Sequence, residues 1–452
     1  MAKIPKLIRG KKARGQSKHQ GQKQTKKKGW IPKANWADLV NYLDLPVFVV
    51  YIVLSLLGVF FVYSASSYTA AANDLSPAHY AVRQASFLVF AFAAGFFIYR
   101  FNIEKVFRNK NVLKGLALIL TLAMLYVSFF GQVISGAQGW IQIAGISIQP
   151  VEFLKPATIL LLAHIFADEE DLIYQQGLSQ ILTNQAKHKT RNRLILALIL
   201  FWLGLTFALP DMGGVAILAS LTLVMFLASG IDVKFAKYTG IAIGGAYIIG
   251  TLFLKLFDIS GWVDSAGSLG YQINRLTAYA HPFKDELNTG LQLINSLYAL
   301  SNGGLFGLGI GQSIQKTGYL PEPYTDFIMA IVGEEYGFIV LMLILGAYLY
   351  MVFHLFYRAI KMEKSYHQLV LIGIATYFLV QFVINIGGAI GLLPITGITF
   401  PFISYGGSSI LTSTIMVALA LSTIRDARRT QQIRERRKIH YIYPQNEKSS
   451  QV

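Results

Sequence analysis

Several ionisable residues lie inside long apolar segments or at their ends. Glu152 and Lys155 are three residues apart, Asp211 follows an apolar run, and Glu334 and Glu335 are adjacent within another. Charged side chains are costly in apolar surroundings, so each is a candidate for function, with an internal ion pair that fixes packing as the simpler interpretation. Glu152 and Lys155 share a helix face and can neutralise each other. Glu334 and Glu335 point about 100° apart on a helix, so we expect them to have different partners.

A second group of ionisable residues lies in or beside the long polar segment 258–324. A carboxylate next to cations can act as a general base toward a hydroxyl while the cations bind phosphate. Taken singly, each acid is most simply a solvated loop charge. The acids are Asp258, Asp264, Asp285, Glu286, Glu322 and Asp326, and the cations are Arg275 and Lys284.

The composition is typical of a membrane protein. Of the 452 residues, 54% are hydrophobic and 14% are charged, whereas soluble domains carry about 25% charged residues. The mean hydropathy of +0.48 agrees. The chain contains no cysteine, which excludes disulfides, thiolate metal sites and cysteine nucleophiles.

The net charge of +17 belongs to the two ends of the chain. Residues 1–36 contain twelve Lys and Arg and no acid, and residues 425–452 contain eight with three acids. The middle, 37–424, is balanced at 20 basic and 20 acidic residues. We therefore divide the chain into two basic tails and a membrane domain. We interpret the tails as disordered and able to hold anionic lipid.

Ten apolar runs approach the ~20 residues that a membrane-spanning helix needs. Two of the runs, 194–209 and 213–230, are short and are separated by the sequence PDMGG at 210–214. One broken element is therefore an alternative to two separate spans here. The pattern predicts an all-α, polytopic membrane protein with ten transmembrane helices. The runs are 46–66, 80–99, 112–131, 150–167, 194–209, 213–230, 236–257, 325–357, 367–393 and 402–424.

The distribution of basic residues predicts the orientation. With both termini in the cytoplasm, the tails hold 20 Lys and Arg and the inner loops 14, which places 34 of the 40 on that side. The first span follows a polar tail too long for an ordinary signal peptide, so we expect it to be retained as an anchor. Segments 131–149 and 258–324 then face outward. In the longer one, the apolar stretch 291–300 predicts an amphipathic helix at the membrane surface, and Trp140 of the shorter one suits the interface.

Other functional classes find little support. The chain lacks a Gly-x-x-x-x-Gly-Lys-Ser/Thr phosphate loop, and the glycine run 303–311 is better interpreted as a flexible loop than as a dinucleotide site. The eight His show no metal-ligand spacing. Basic tails without interleaved aromatic residues are a poor nucleic-acid site.

Four sequence blocks between about residues 45 and 424 are similar to one family. They are QPVEFLK at 149–155, PDMG at 210–213, YLPEPYTDF at 319–327 with GEE at 333–335, and GLLPITGITFPFISYGGSS at 391–409. They resemble the motifs of the SEDS family, which comprises FtsW, RodA and SpoVE. Val151 stands where the family usually has Ser or Ala, and Tyr324 stands where it frequently has His. Both lie beside the ionisable motif positions and not at them.

The resemblance implies a peptidoglycan glycosyltransferase with ten transmembrane helices and a large extracellular loop between helices 7 and 8. Such enzymes polymerise lipid II outside the cytoplasmic membrane, form β-1,4 bonds, release undecaprenyl pyrophosphate and work with a class B penicillin-binding protein. The family's essential aspartate lies in that loop, between a Pro and a Gly. HPFKDELNTG at 281–290 matches this block and places it at Asp285, with Glu286 where the family often has Pro.

The implied mechanism assigns roles to these residues. Asp285 is the expected general base that deprotonates the acceptor's sugar hydroxyl, which attacks the donor's anomeric carbon with inversion. A divalent metal, Mg or Mn, is a further candidate for stabilising the leaving pyrophosphate together with Arg275 and Lys284. The residues expected to bind substrate are Arg275, Lys284, Glu152, Lys155, Asp211, Glu322, Asp326, Glu334, Glu335, Ser404 and Ser408.

Within the family, GQSIQK at 311–316 and the end of the last motif are most like FtsW of a Gram-positive bacterium. This implies septal cell-wall synthesis, localisation at the division septum of the plasma membrane, and contacts with other divisome proteins. Three alternatives stay open: an elongation-type RodA polymerase, a lipid II flippase that uses the intramembrane charges as a polar path, and a non-catalytic scaffold.

Overall fold

Fifteen α-helices alternate with short connections along the described part of the chain. The structure, a computed structural model, describes residues 36–134, 137–143, 146–230, 233–257, 270–284 and 290–442. The helices are α1 Trp36–Asn41, α2 Leu45–Ala72, α3 His79–Tyr99, α4 Ile103–Phe107, α5 Lys110–Phe130, α6 Pro150–Asp168, α7 Glu170–Gln176, α8 Lys189–Ala208, α9 Met212–Ala228, α10 Val233–Leu256, α11 Gly270–Ala280, α12 Leu291–Gly303, α13 Ile328–Ile360, α14 Ser365–Ala389 and α15 Gly407–Ile442. Short 3-10 helices cover Leu178–Leu182 and Pro282–Lys284.

The ten predicted apolar runs all coincide with helices. Among the described residues, nine helices are long and apolar enough to cross a membrane, and α9 is a shorter apolar helix of 17 residues. The all-α polytopic prediction is confirmed, while the count of ten spans stays a prediction. The helices α8 and α9 are separate, because Asp211 begins α9 and Pro210 has a φ of 23° that ends regular helical geometry. The amphipathic stretch 291–300 lies in α12.

Three helices form the centre of the bundle. In α6 and α15, 89% and 83% of the most apolar window is buried, against 22% in α3, α5 and α8. The helix α14 packs against both of them, and α6 and α15 also contact each other. The outer faces of the peripheral helices carry large apolar side chains that suit lipid, as the exposed Phe90 and Leu200 show.

The helices run alternately between two faces of the bundle. The terminal face carries the described chain ends, where the Tyr42 hydroxyl donates to Gln432 at 2.6 Å. Here the fully buried Asp44 accepts from Arg358 at 2.8 Å and Arg428 at 2.7 Å, and so ties α13 and α15 to the start of α2. The opposite face, called the outer face, carries the connections before α6, between α8 and α9, between α10 and α13, and between α14 and α15.

The last helix continues well past its apolar part. A helix of 36 residues is about 54 Å long, whereas the hydrocarbon core of a bilayer is about 30 Å thick. The predicted tail boundary at residue 425 therefore falls inside α15. Arg425 is buried there and donates to the carbonyl of Phe101 at 2.7 Å, so this first part of the tail packs on the bundle.

A small antiparallel sheet occupies the predicted loop 131–149. Its strands are β1 Gln132–Ile134, β2 Ala137–Ile143 and β3 Ile146–Ile148, with β2 in the middle. Trp140 lies opposite Gln132, and Ile141 lies opposite Ile148. Open sheet edges are not tolerated in hydrocarbon, so the position of the sheet at the end of α5 and α6 fits a location outside it.

The helix α13 is broken at Gly337, which has a φ of 80°. A glycine-rich segment, 303–311, lies against the break, and a Cβ on Gly337 would be 2.4 Å from the backbone nitrogen of Gly307. The backbone N–H of Leu308 donates to Glu334 at 2.9 Å, and that of Phe338 donates to Gly304 at 2.9 Å. The segment is thus a hydrogen-bonded partner of the broken helix, whereas the sequence suggested a flexible loop.

We predict that Gly337→Ala lowers the free energy of unfolding by about 2–3 kcal/mol, because the added Cβ meets backbone and favours negative φ. Gly346→Ala, in the same helix with open space around the position, is the matched control and is expected to be neutral or stabilising by up to about 1 kcal/mol. Thermal unfolding of the detergent-solubilised variants measures both. Equal melting temperatures for the two variants would contradict the proposed close approach.

Candidate functional site

The first turn of α6 carries an ion pair at the outer face. The Lys155 ammonium donates to Glu152, and their side chains are 2% and 12% exposed. The ammonium also lies 5.8 Å from the centre of the Tyr377 ring of α14. The spacing of these residues predicts this pair. The second carboxylate oxygen of Glu152 is buried and has no donor among the residues that the structure describes.

Asp211, the residue just before α9, interacts electrostatically with this ion pair. Its Oδ1 accepts from the backbone N–H of Gly214 at 2.7 Å, which caps the helix, and its Oδ2 accepts from Gln149 at 3.2 Å. The glycine is required, because a Cβ at position 214 would be 2.7 Å from Val151 of α6. Burial raises the pKa of Asp211, against the lowering effect of the Gly214 N–H and then of the Lys155 charge.

Arg275 of α11 interacts with two acids of this site. Its guanidinium donates to the Ile395 carbonyl at 3.2 Å and interacts electrostatically with Asp211 and Asp326. Gln272, one turn earlier, donates to the carbonyl of Pro210 and so attaches α11 to the α8–α9 connection. The helix from the polar segment 258–324 is thereby held over the ends of the membrane helices.

Asp326 is positioned by the residues around it at the start of α13. The Thr325 hydroxyl donates to its carboxylate at 2.7 Å. Asn385 of α14 donates to the Asp326 carbonyl and to the Ile398 carbonyl, each at 2.8 Å, which fixes the 394–398 loop beside it. We call Glu152, Lys155, Asp211, Arg275 and Asp326 the outer polar cluster. These five side chains, far apart in sequence, are the predicted site residues that the structure brings together.

Glu334 and Glu335 belong to a separate buried cluster. As predicted, their partners differ. Glu335 pairs with Lys316 at 2.6 Å and accepts from the Ser64 hydroxyl at 2.6 Å. Glu334 accepts from the side chain of Asn302 at 3.0 Å, from the Ser313 hydroxyl and from the Gln315 backbone N–H. Both acids therefore hold the segment 302–316 against the break in α13.

Lys316 was missed as a partner by the sequence reasoning, which counted it among the outward cations. The sequence contained a signal for such a partner, because an acid deep in an apolar helix requires a cation or several hydrogen-bond donors. Gln149 was missed as well. Its side chain reaches Asp211, and its backbone N–H donates to the Ser408 hydroxyl at 3.0 Å, although neutral residues leave no charge pattern in a sequence.

The remaining predicted residues lie apart from the outer polar cluster, at its edge or outside the described chain. Ser404 accepts from the backbone N–H of Phe400 at 2.8 Å, which closes a local turn. Glu322 and Lys284 are exposed, and Glu322 interacts electrostatically with Asp326 at the edge of the cluster. Asp285 and Glu286 lie outside the described residues, as do Asp258 and Asp264, so the expected general base stays a prediction. Lys284, its described neighbour, ends the 3-10 helix that follows α11.

The described residues offer little for a bound metal. Within them, no group of three or more His, Asp or Glu is arranged to hold an ion. The outer polar cluster has three carboxylates, but each of them interacts with at least one of the cations Lys155 and Arg275. A cavity beside Asp326 has a volume of about 10 Å³, about the size of one water molecule.

These features define a multi-pass helical membrane protein with a polar cluster under a helical outer segment. Residues 44–429 match the family model described as a cell cycle protein, which covers FtsW, RodA and SpoVE. The chain therefore belongs to the FtsW/RodA/SpoVE family, and the SEDS resemblance is confirmed.

Curated relatives agree with this assignment. One is the probable peptidoglycan glycosyltransferase FtsW of Lactococcus lactis, 33% identical over 401 residues that cover 86% of this chain and 94% of the relative. The FtsW of Bacillus subtilis is 36% identical over 78% of this chain and 83% of the relative. Stage V sporulation protein E of Bacillus subtilis is 34% identical over 85% and 98%.

Two solved structures share the fold. A chain from a peptidoglycan synthase complex, solved to explain the structural coordination of polymerization and crosslinking, has a TM-score of 0.63 at 22% identity and covers 85% of this chain and 98% of its own. The rod shape determining protein RodA of Thermus thermophilus has a TM-score of 0.57 at 21% identity, with 85% and 97% covered.

We predict that Lys155→Met lowers the free energy of unfolding by about 3–5 kcal/mol, because Glu152 keeps a buried charge without its cation. The double variant Glu152→Gln/Lys155→Met should recover most of this loss, since neither charge is left. Thermal unfolding in detergent gives the double-mutant cycle. Additive losses in the double variant would show that the pair does not neutralise itself.

Proposed function

We propose that the protein is a peptidoglycan glycosyltransferase that polymerises lipid II into glycan strands. The observation that carries the proposal is the family match over residues 44–429, together with relatives named as peptidoglycan glycosyltransferases. The outer polar cluster supports it, because it places the Arg275 guanidinium at the outer face, and a guanidinium suits a phosphate-bearing, lipid-linked substrate. The prenyl chains would lie between helices, which accounts for a transferase within a membrane.

In the proposed reaction, Asp285 takes the proton from the acceptor's sugar hydroxyl, and the oxygen attacks the donor's anomeric carbon with inversion. The bond from that carbon to the pyrophosphate oxygen breaks, and undecaprenyl pyrophosphate leaves. Arg275 and Lys284 supply positive charge to the leaving group. A divalent metal remains a candidate for the same task. The described donor set does not assemble a site for it, so no step is assigned to the ion.

The other acids of the outer polar cluster have a positioning role in this proposal. Asp211 caps α9 and Asp326 precedes α13, and both interact electrostatically with Arg275. Their charges orient the guanidinium, whose five N–H donors allow it to bind the Ile395 carbonyl and a substrate oxygen together. The ion pair of Glu152 and Lys155, at the start of α6, supports these residues.

We predict that Asp285→Ala abolishes polymerisation of lipid II by the purified protein in detergent, a loss of at least about 100-fold, because no general base remains. Gel analysis of the glycan products measures it. Glu286→Ala, at the adjacent acid, is the matched control and should retain activity.

Normal glycan chains from Asp285→Ala would refute the assigned base, and equal losses in both variants would show that the two acids share the role. Detergent also separates the alternatives. A polymerase makes glycan there, whereas a lipid II flippase requires a sealed bilayer and a scaffold makes no product.

We predict that Arg275→Gln lowers the turnover number about 100-fold or more, because positive charge near the leaving pyrophosphate is lost while hydrogen-bonding capacity remains. Lys255→Gln, an exposed cation in the last turn of α10, is the control and should leave the rate unchanged. Initial rates of lipid II polymerisation give the comparison. A rate for Arg275→Gln equal to that of the control would exclude the guanidinium from the reaction.

Within the family, we propose the division role of FtsW, because several relatives at 32–36% identity carry that name. The cytoplasmic membrane at the septum, both termini in the cytoplasm and association with divisome proteins follow from this role. A class B penicillin-binding protein is the proposed transpeptidase partner, supported by the fold shared with a chain of a peptidoglycan synthase complex. The basic tails would hold anionic lipid at the inner leaflet.

A further inference from the structure

A basic cavity lies on the terminal face, between the turn from α13 to α14 and the part of α15 beyond residue 423. Its volume is about 140 Å³. The floor is formed by the buried His367 and Ile424. The charged residues of its wall are Arg358, Lys361, Lys364, Arg428, Arg434 and the single acid Glu363. We call this space the basic cavity.

The carboxylates that contact the wall do not balance its positive charge. The Asp44 carboxylate forms ion pairs with both Arg358 and Arg428, at 2.8 and 2.7 Å. Glu104 pairs with Lys364 at 2.5 Å, and Glu363 pairs with Arg434. Among the residues that the structure describes, five cations thus face three carboxylates, an excess of two positive charges around one cavity. A compact anion would complete the arrangement.

Apolar side chains line the approach to the cavity along α13. Phe353, Tyr357 and Ile360 are 60%, 50% and 76% exposed and lie four and three residues apart, so they share one helix face. Lys361 follows at the end of this face, with its ammonium 4.1 Å from the centre of the Tyr357 ring. An exposed apolar face that ends in a cationic cavity has the pattern of a lipid-headgroup site at a membrane surface.

We propose that the basic cavity binds a phosphate-bearing anion, namely the headgroup of an anionic phospholipid whose acyl chains lie along α13. The cavity is smaller than the ~300–1,000 Å³ of pockets for drug-sized ligands and suits a compact group such as phosphate. Inorganic phosphate offers the same chemistry, so the test must separate the two sources. The bound group would join the α13–α14 turn to α15. This site is built from folded helices and does not include residues 1–35.

The test uses the full chain in a non-ionic detergent and does not depend on polymerase activity or on orientation in a membrane. It is titrated separately with dioctanoyl phosphatidylglycerol, dioctanoyl phosphatidylcholine and inorganic phosphate, and binding is measured by native mass spectrometry. We expect saturable binding of one phosphatidylglycerol and none of phosphatidylcholine. Displacement of that lipid by phosphate would support the site with free phosphate as a competing source. Equal binding of both lipids would overturn the proposal.

Paired variants locate the site. Lys361→Gln/Arg434→Gln removes two cations of the wall but leaves the buried Asp44 paired, and phosphatidylglycerol binding should weaken about 30-fold. Lys105→Gln/Arg429→Gln removes the same charge from the same face outside the cavity and should retain wild-type affinity.

A third double variant separates charge from folding. Lys361→Arg/Arg434→Lys keeps both charges and should bind the lipid nearly as well as the wild type. Equal weakening by the cavity and control pairs, or no weakening by the cavity pair, would refute the basic cavity as the binding site.

Discussion

The ion pair between Glu152 and Lys155 is the interaction on which the outer half of the bundle depends. Lipid cannot solvate either charge, so the two must neutralise each other where α6 begins. Since α6 is the most buried of the candidate spans, its neighbours organise around that end. Gln149, just before the helix, reaches Asp211 of the α8–α9 connection and Ser408 of α15. Gln149, next to the neutralised pair, thereby connects the ends of three helices.

The same constraint explains the break in α13. Interrupting a helix frees backbone groups that hydrocarbon cannot satisfy, so a broken helix requires a substitute partner. The segment 303–311 supplies it, with backbone bonds on both sides of Gly337, and the side chains of Glu334 and Glu335 hold the residues that flank this segment, up to Lys316. Glu334 and Glu335, which are candidates for function in the sequence, thus stabilise the broken helix. The long outer segment is anchored to the membrane domain as a result.

Apolar length and acid spacing predicted the helices and the Glu152–Lys155 pair, because both depend on residues near in sequence. The outer polar cluster was predicted residue by residue but not as a group, since Asp211, Arg275 and Asp326 meet only through tertiary packing. Neutral partners such as Gln149 and Asn385 carry no charge signal. The sheet at 132–148 was missed because its strands are only three, seven and three residues long, too short to give a clear strand pattern. The assignment of Asp285 as the general base rests on the family motif. Neither the composition nor the helix packing tests this assignment.

The two faces of the bundle use positive charge in different ways. The outer polar cluster has two cations among three acids, so it cannot attract an anion by net charge and must bind one by placing Arg275 well. Such placement favours selectivity for a particular geometry, as the proposed glycosyl transfer requires. The terminal face carries an excess of cations around the basic cavity. Excess charge attracts any anionic surface, and only the cavity adds the enclosure that would distinguish one headgroup from another.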